Sequence, residues 1–320
     1  MTPRRPAIRA WGILPKGVGH LAKRSSSWAL TGGFAAIGVL GWQTASSAQT
    51  AHASRARRCL VPGVYQPIDS VWHPKLRAAK RYAAHRRGDI AFAVRTDHRF
   101  YAYRPYHTEW SASVVKAMLL VAYVDRGSVA HRDLNGYDRS LLDPMITHSD
   151  NNAAQQVFNT VGQGGLQALA HRVGMKHFGT DPVWGKTRIT ATDQTRFFLH
   201  IDRYIVRKHR AYAMHLLASI TPSQRWGVGE VAPRGWKLYF KGGWGYGTGL
   251  LDHQVALFMR GCARVSIAVL TMHDGSHGYG KATLRGLFSR LLGHGLPTQP
   301  QSWRLPVPHR KRGRPIDKPL

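Results

Sequence analysis

The spacing of hydrophobic positions changes along the chain, and each change predicts a change of element. Between Pro74 and Arg87, Leu76, Ala79, Tyr82 and Ala83 share one face of an otherwise basic helix, with Gly88 as its stop. Ile90–Arg95 and Arg99–Tyr103 are short apolar and aromatic runs around Asp97-His98, the pattern of a hairpin. From Trp110 to about Met214 the period is helical. Val114–Val124 is apolar throughout and closed by Gly127. Asn151–Val161, Leu166–Arg172 and Thr192–Arg207 follow, the last with Asp193 near its start. Trp236–Phe240, Gln254–Met259 and Val265–Met272 then predict three strands, and Ala282–Leu292 a closing amphipathic helix. The predicted class is α+β: a five-stranded antiparallel sheet flanked by the N- and C-terminal helices, with an all-helical lobe inserted between strands two and three. A cleft is expected where the lobe meets the sheet.

Outside that pattern lie the two ends. A basic stretch with Arg4, Arg5, Arg9, Lys16, Lys23 and Arg24 leads into the uncharged, Gly/Ala-rich segment Trp28–Trp42. Small residues follow, with A-x-A-like sites ending at Ala48 or Ala53, which is the order of a signal peptide. The apolar run is short for a membrane span, although an uncleaved anchor is the alternative. The expected organisation is a signal peptide over residues 1–53, an exported linker over 54–73, the folded domain over 74–296 and a basic, Pro-rich tail over 297–320. The expected location is extracellular or bound to the cell wall.

Composition sharpens this picture. With 43% hydrophobic residues, the 320-residue chain has enough apolar material for a sizeable core. Two cysteines exclude a disulfide scaffold and a four-cysteine zinc site. In an exported chain an intrachain bridge can join only Cys59 and Cys262; two unpaired thiols are the alternative. The outlier is a net charge of +30, and removing residues 1–53 still leaves +24. Nucleic acid is one partner for such a surface, but no nucleic-acid-binding motif is present. Anionic cell-wall polymers fit the same electrostatics in an exported protein.

Three short motifs carry candidate chemistry. Ser113-Val114-Val115-Lys116 opens the apolar helix and places a hydroxyl and an amine one turn apart on one face. A serine needs a neighbouring base to become a nucleophile, and a lysine serves when burial or a nearby cation lowers its pKa. Ser149-Asp150-Asn151 precedes a helix, where all three residue types are also ordinary caps. Lys241-Gly242-Gly243 closes the strand Trp236–Phe240, and its glycines allow close backbone approach. Each motif alone has an ordinary structural explanation.

Taken together, their order and contexts match the set S-x-x-K, S-D-N and K-T-G. The chain resembles the penicillin-recognising serine hydrolases, closest to the class A β-lactamase-like branch, over roughly Pro74–Leu292. The resemblance implies that Ser113 is the acylated nucleophile and Lys116 its general base. Ser149 would pass a proton to the leaving nitrogen, and Asn151 would hold the substrate amide. Lys241 would supply positive charge toward a substrate carboxylate and help depress the Lys116 pKa. The oxyanion hole would be the backbone N–H groups of Ser113 and of Trp244, which follows Gly243. The implied substrates are β-lactams or D-Ala-D-Ala-type peptidoglycan peptides, with no metal or organic cofactor and no nucleic acid.

Three departures from the family pattern stand out. Gly242 replaces the threonine of K-T-G and offers no hydroxyl to a carboxylate; Thr248 is a possible substitute. The spacing between the first two motifs is short. The stretch from His177 to Thr192 lacks the E-x-x-L-N segment and contains no glutamate, leaving Asp181, and Asp193 at its edge. Without a carboxylate to activate water, deacylation is expected to be slow. Trp244 and Tyr246 are expected to wall the cleft, Asp252-His253 to form a structural pair, and the loop His273–His277 to border the site. The competing functions are a non-catalytic wall-binding protein of the same fold and a Ser–Lys esterase or amidase.

Overall fold

The computed structural model describes residues 67–245 and 250–297. The expected signal peptide, Cys59, Tyr246, Thr248 and the basic tail beyond Pro297 lie outside the described residues.

Five antiparallel strands form the expected sheet: β1 (Asp89–Arg95), β2 (Phe100–Tyr103), β5 (Lys237–Gly245), β6 (Leu251–Arg260) and β7 (Ala263–Met272), in the order β2-β1-β7-β6-β5. A separate two-stranded ladder, β3 (Thr108–Trp110) with β4 (Arg188–Thr190), was not anticipated, because three residues are too few to show a period. Strands β6 and β7 are buried on both faces, which is why they read as nearly unbroken apolar runs. The terminal helices α1 (Leu76–Ala84) and α7 (His277–Leu292) pack against each other. Trp72 Nε1 donates to the carbonyl of Leu292 (3.2 Å), and Lys75 Nζ lies 2.8 Å from His294 Nε2, so the two ends of the domain meet.

The inserted lobe holds α2 (Lys116–Val124), α3 (Gly136–Thr147), α4 (Asn151–Val173), α5 (Ala191–Leu199) and α6 (Arg210–Ala218). Helix α2 is buried on every side, as a helix without a polar face must be. Helix α3 starts at a capping box, in which the Asn135 side chain accepts from Asp138 N and Asp138 accepts from Asn135 N. Gly162, with φ 66°, breaks α4 internally where two helices were expected. Among the described residues no helix is long and apolar enough to cross a membrane.

Several expected boundaries move. The segment Thr192–Arg207 is not one helix. It stops at His200 and resumes as the short turn Ile201–Tyr204, pinned where Asp202 pairs with Arg264. Gly127 does not close α2, which ends at Asp125; it opens another short helix instead. Strand β5 runs on through Gly245, so Lys241-Gly242-Gly243 lies inside the strand rather than after it.

Candidate active site

Ser113 lies in a 3-10 turn, Ala112–Val115, that feeds directly into α2 at Lys116. The serine thus precedes the α-helix instead of occupying its first turn. Ala112 holds φ 41°, a left-handed conformation that costs energy for a residue with a Cβ. Ser149 is also left-handed, at φ 59°. Asp150 is the cap of α4, accepting from Ala153 N at 2.7 Å. Because the middle residue of the Ser-Asp-Asn triplet does the capping, its neighbours are free to face Lys116.

Lys116 Nζ donates to the Ser149 carbonyl (2.5 Å), the Ser149 hydroxyl (3.2 Å) and Asn151 Oδ1 (2.8 Å). Lys241 reaches the same hydroxyl from the sheet, donating to Ser149 Oγ (3.1 Å) and to the Gly242 carbonyl (3.0 Å). Both lysines are fully buried, whereas Ser113 and Ser149 each keep 8% exposure at the surface of the cleft. Among the described residues the Ser113 hydroxyl has no hydrogen-bond partner.

Burial dominates the electrostatics. It pushes the Lys116 amine down to about 7, against the opposing pull of the Asp150 carboxylate. Lys241 is held well below its ordinary value by burial and then by the nearby Lys116. Two ammonium groups converging on one hydroxyl cannot both keep their protons cheaply. Lys241 is therefore a buried partner of Ser149.

The strand edge completes the cleft. A Cβ at Gly243 would stand 2.8 Å from Ser113 N, 2.9 Å from Val114 N and 3.0 Å from the Ser111 carbonyl. Only glycine lets β5 come this close to the serine turn, one residue before Trp244. At Gly242 a Cβ would meet Trp226 and Gln254 at 3.5–3.6 Å, an ordinary contact. Behind it Gln254 Nε2 donates to the Trp226 carbonyl (2.8 Å), and Gln254 Oε1 accepts from Val228 N (2.9 Å). His253 is structural: Nε2 donates to the Trp110 carbonyl (2.9 Å), Nδ1 accepts from Thr271 N (3.1 Å), and burial lowers it to about 4.

The loop before α5 brings an aromatic ring against Lys116. Trp184 lies with its ring 4.9 Å from Lys116 Nζ. Ser111 Oγ is within 3.5 Å of the Trp184 carbonyl and 3.4 Å of that of Gly185, and Ser111 N donates to Thr187 O (2.8 Å). Asp181 accepts from Val183 N (2.8 Å), a local turn bond. Asp193 is buried and accepts from Lys176 N (3.1 Å) and His177 N (2.8 Å), stapling the loop. Among the described residues no carboxylate hydrogen-bonds Ser113, Lys116 or Ser149. Trp184 escaped the sequence reading because nothing local distinguishes it from any loop tryptophan.

This arrangement of sheet, lobe and cleft defines a class of protein: the fold is that of the class A β-lactamases. A structure of a β-lactamase from Sphaerobacter thermophilus matches with TM-score 0.59 at 15% identity, covering 68% of this chain and 95% of that one. An ancestral class A β-lactamase matches at 0.55 and 18% identity over 68% and 98%. The extended-spectrum β-lactamase TLA-1 matches at 0.59 and 14% identity over 70% and 98%. A sequence model of the β-lactamase enzyme family matches residues 138–293, which include Ser149, Asn151 and Lys241 but begin after Ser113 and Lys116. No curated protein matches the sequence. In fold this chain is class A β-lactamase-like, as the three motifs led one to expect, and over residues 138–293 its sequence is similar to the β-lactamase enzyme family.

Proposed function

We propose that this chain is an exported serine hydrolase that forms an acyl-enzyme on Ser113 and releases it slowly. The observation that carries the reading is the buried Lys116 amine, lowered to about 7 and bonded to Ser149 and Asn151, one turn from an otherwise unpartnered Ser113 hydroxyl. Neutral Lys116 takes the Ser113 proton as Oγ attacks an amide, ester or lactam carbonyl. The Ser113 and Trp244 N–H groups receive the oxyanion. When the intermediate collapses, the carbon–nitrogen or carbon–oxygen bond breaks. The proton passes from Lys116 through Ser149 to the leaving atom, and the acyl group stays on Ser113. The substrates of this reading are β-lactams or D-Ala-D-Ala-type peptides.

Water must then attack the acyl-enzyme. Trp184 stands beside Lys116, and among the described residues no carboxylate bonds the reacting groups, so activation of that water is poor. High positive charge would hold the exported protein near anionic wall polymers, with salt weakening the attraction. The test is intact-protein mass after incubation with a penicillin, a cephalosporin and a neutral activated ester, beside Ser113→Ala. A long-lived adduct on the unaltered chain alone is expected; no adduct and no turnover with any of the three would overturn the proposal. Gly242 favours one second reading, a Ser–Lys esterase or amidase. Labelling by the ester without labelling by either β-lactam selects it.

A further inference from the structure

Next to the oxyanion-hole strand lies a second polar cluster that the mechanism above does not use. Trp244, Leu251 and His277 line a recess together with Asp252 and Asp274, and its enclosed volume is about 30 Å³. That is room for about one water- or ammonium-sized group. Asp252 pairs in register with Trp244, so both side chains stand on the same face of the sheet, the face covered by α7.

The two carboxyls are built into the fold. Each is 1% exposed. Asp252 Oδ1 lies 2.6 Å from His277 Nδ1, and Thr271 Oγ1 donates to Asp274 Oδ2 at 2.8 Å. The two Oδ2 atoms converge on Gly280, where a Cβ would collide with both. Burial and then the neighbouring Asp274 push Asp252 up to about 9, and burial raises Asp274, since two carboxyls this close cannot both ionise cheaply.

The basic groups nearby are His277, whose Nδ1 meets Asp252 Oδ1 at 2.6 Å, Lys281, whose charge pulls Asp252 down, and His273, whose charge pulls Asp274 down. Burial lowers His277, and Lys281, the cation one turn along α7, makes no ion pair or hydrogen bond with either carboxyl. Asp274 Oδ1 is buried with no hydrogen-bond partner among the described residues. Aromatic faces complete the surroundings. Trp244 stacks on His277 (centroids 5.7 Å, planes 25° apart), and Trp226 packs edge-on against both. Carboxyls with an unfilled acceptor beside stacked rings form an environment that attracts a small cation and repels a carboxylate.

We propose that this recess is a subsite for a primary ammonium group, so that substrates bearing one beside Trp244 are preferred over those bearing a carboxylate there. The inference rests on the acyl-enzyme reading and names its substrate class. Gly242 agrees with it, since the strand offers no hydroxyl to a carboxylate on this face.

The experiment compares three esters of one acyl group, with 3-(aminomethyl)phenol, 3-(hydroxymethyl)phenol and 3-carboxyphenol as leaving groups. The readout is the second-order rate of Ser113 acylation. The unaltered chain is expected to favour the aminomethyl over the carboxy ester by about tenfold or more. The double variant Asp252→Asn/Asp274→Asn, which leaves neither carboxyl to ionise, should bring that ratio toward one while the hydroxymethyl ester changes little. A carboxy ester reacting as fast as the aminomethyl ester on the unaltered chain overturns the proposal without any variant. So does a preference that survives in the double variant.

If none of the esters labels Ser113, the hydrolase reading fails, and a titration of Ser113→Ala with methylammonium, followed by tryptophan fluorescence, judges the recess alone. Saturable quenching that ethanol does not reproduce and Asp252→Asn/Asp274→Asn removes supports it. Absence of quenching overturns it.

Discussion

Gly243→Ala is the sharpest perturbation of the proposed machinery, because the added methyl group meets only backbone. Its nearest neighbours would be Ser113 N at 2.8 Å, Val114 N at 2.9 Å and the Ser111 carbonyl at 3.0 Å, whereas an ordinary contact begins near 3.4 Å. Strand and serine turn must therefore separate by 3.4 minus 2.8, about 0.6 Å, next to the proposed oxyanion donors Ser113 N and Trp244 N. A misplacement of about 1 Å costs roughly 100-fold in rate, so a loss of about 10- to 100-fold in Ser113 acylation is expected. Overpacking should also lower stability, by about 1–3 kcal/mol. Gly242→Ala is the matched control: its methyl group lands 3.5–3.6 Å from Trp226, Gln254 and the His253 carbonyl, and acylation should fall less than about threefold. The assay is the second-order rate of adduct formation by intact mass, with thermal melts to establish that both variants fold. Equal acylation by Gly243→Ala and the unaltered chain would refute the assignment of the Ser113 and Trp244 N–H groups to the oxyanion hole.

Two further outcomes concern titration. Acylation should rise with pH through a midpoint near 7, since Lys116 acts as a base only when neutral; Trp184→Ala, which lets water reach the amine, should move that midpoint upward. A pH–rate profile that stays flat from 6 to 8 in the unaltered chain would remove Lys116 from the role of base. His253 is neutral in the fold down to about 4 and titrates near 6.5 when unfolded, so the unfolded chain binds the extra proton between those values. Its contribution is fully present above pH 6.5 and is lost as pH falls toward 4, by roughly 3 kcal/mol. Denaturant titrations of the unaltered chain and His253→Gln should diverge in this window; parallel curves would contradict the buried neutral imidazole.

The architecture was legible because the elements that build it are long and periodic. Strands β6 and β7, helix α2 and the hairpin β1–β2 all fell near their expected places, and the order of elements implied the inserted lobe. What escaped has physical causes. Helix α3 carries Pro144 and mixes polar with apolar positions, so its start shows only in the Asn135–Asp138 capping box. Thr192–Arg207 has a continuous helical period, but tertiary pairing of Asp202 with Arg264 breaks it. Strand β5 was expected to end at Phe240 because two glycines look like a terminus; they lie within it because β5 must pass close to Ser113. At the site the three motifs named Ser113, Lys116, Ser149, Asn151 and Lys241, and the fold draws Lys116, Lys241 and Asn151 together around Ser149. Trp184 reaches its place through long-range packing that no local pattern encodes, whereas the loop His273–His277 was expected beside the site, and its Asp274 and His277 line the recess next to Trp244.

The meeting of Trp72 with Leu292 and of Lys75 with His294 makes the folded domain nearly a closed loop. A short linker joining those ends would leave every strand pairing in place and allow new termini to be cut elsewhere. The exposed turn at Asp97-His98, between β1 and β2 at one margin of the sheet, is one such point. A circularly permuted chain opened there should keep the cleft intact, because none of the residues gathered around Ser149 belongs to that hairpin. The connectivity that delays the sheet until the lobe has been traversed is thus a feature of this chain's order, not a requirement of its architecture.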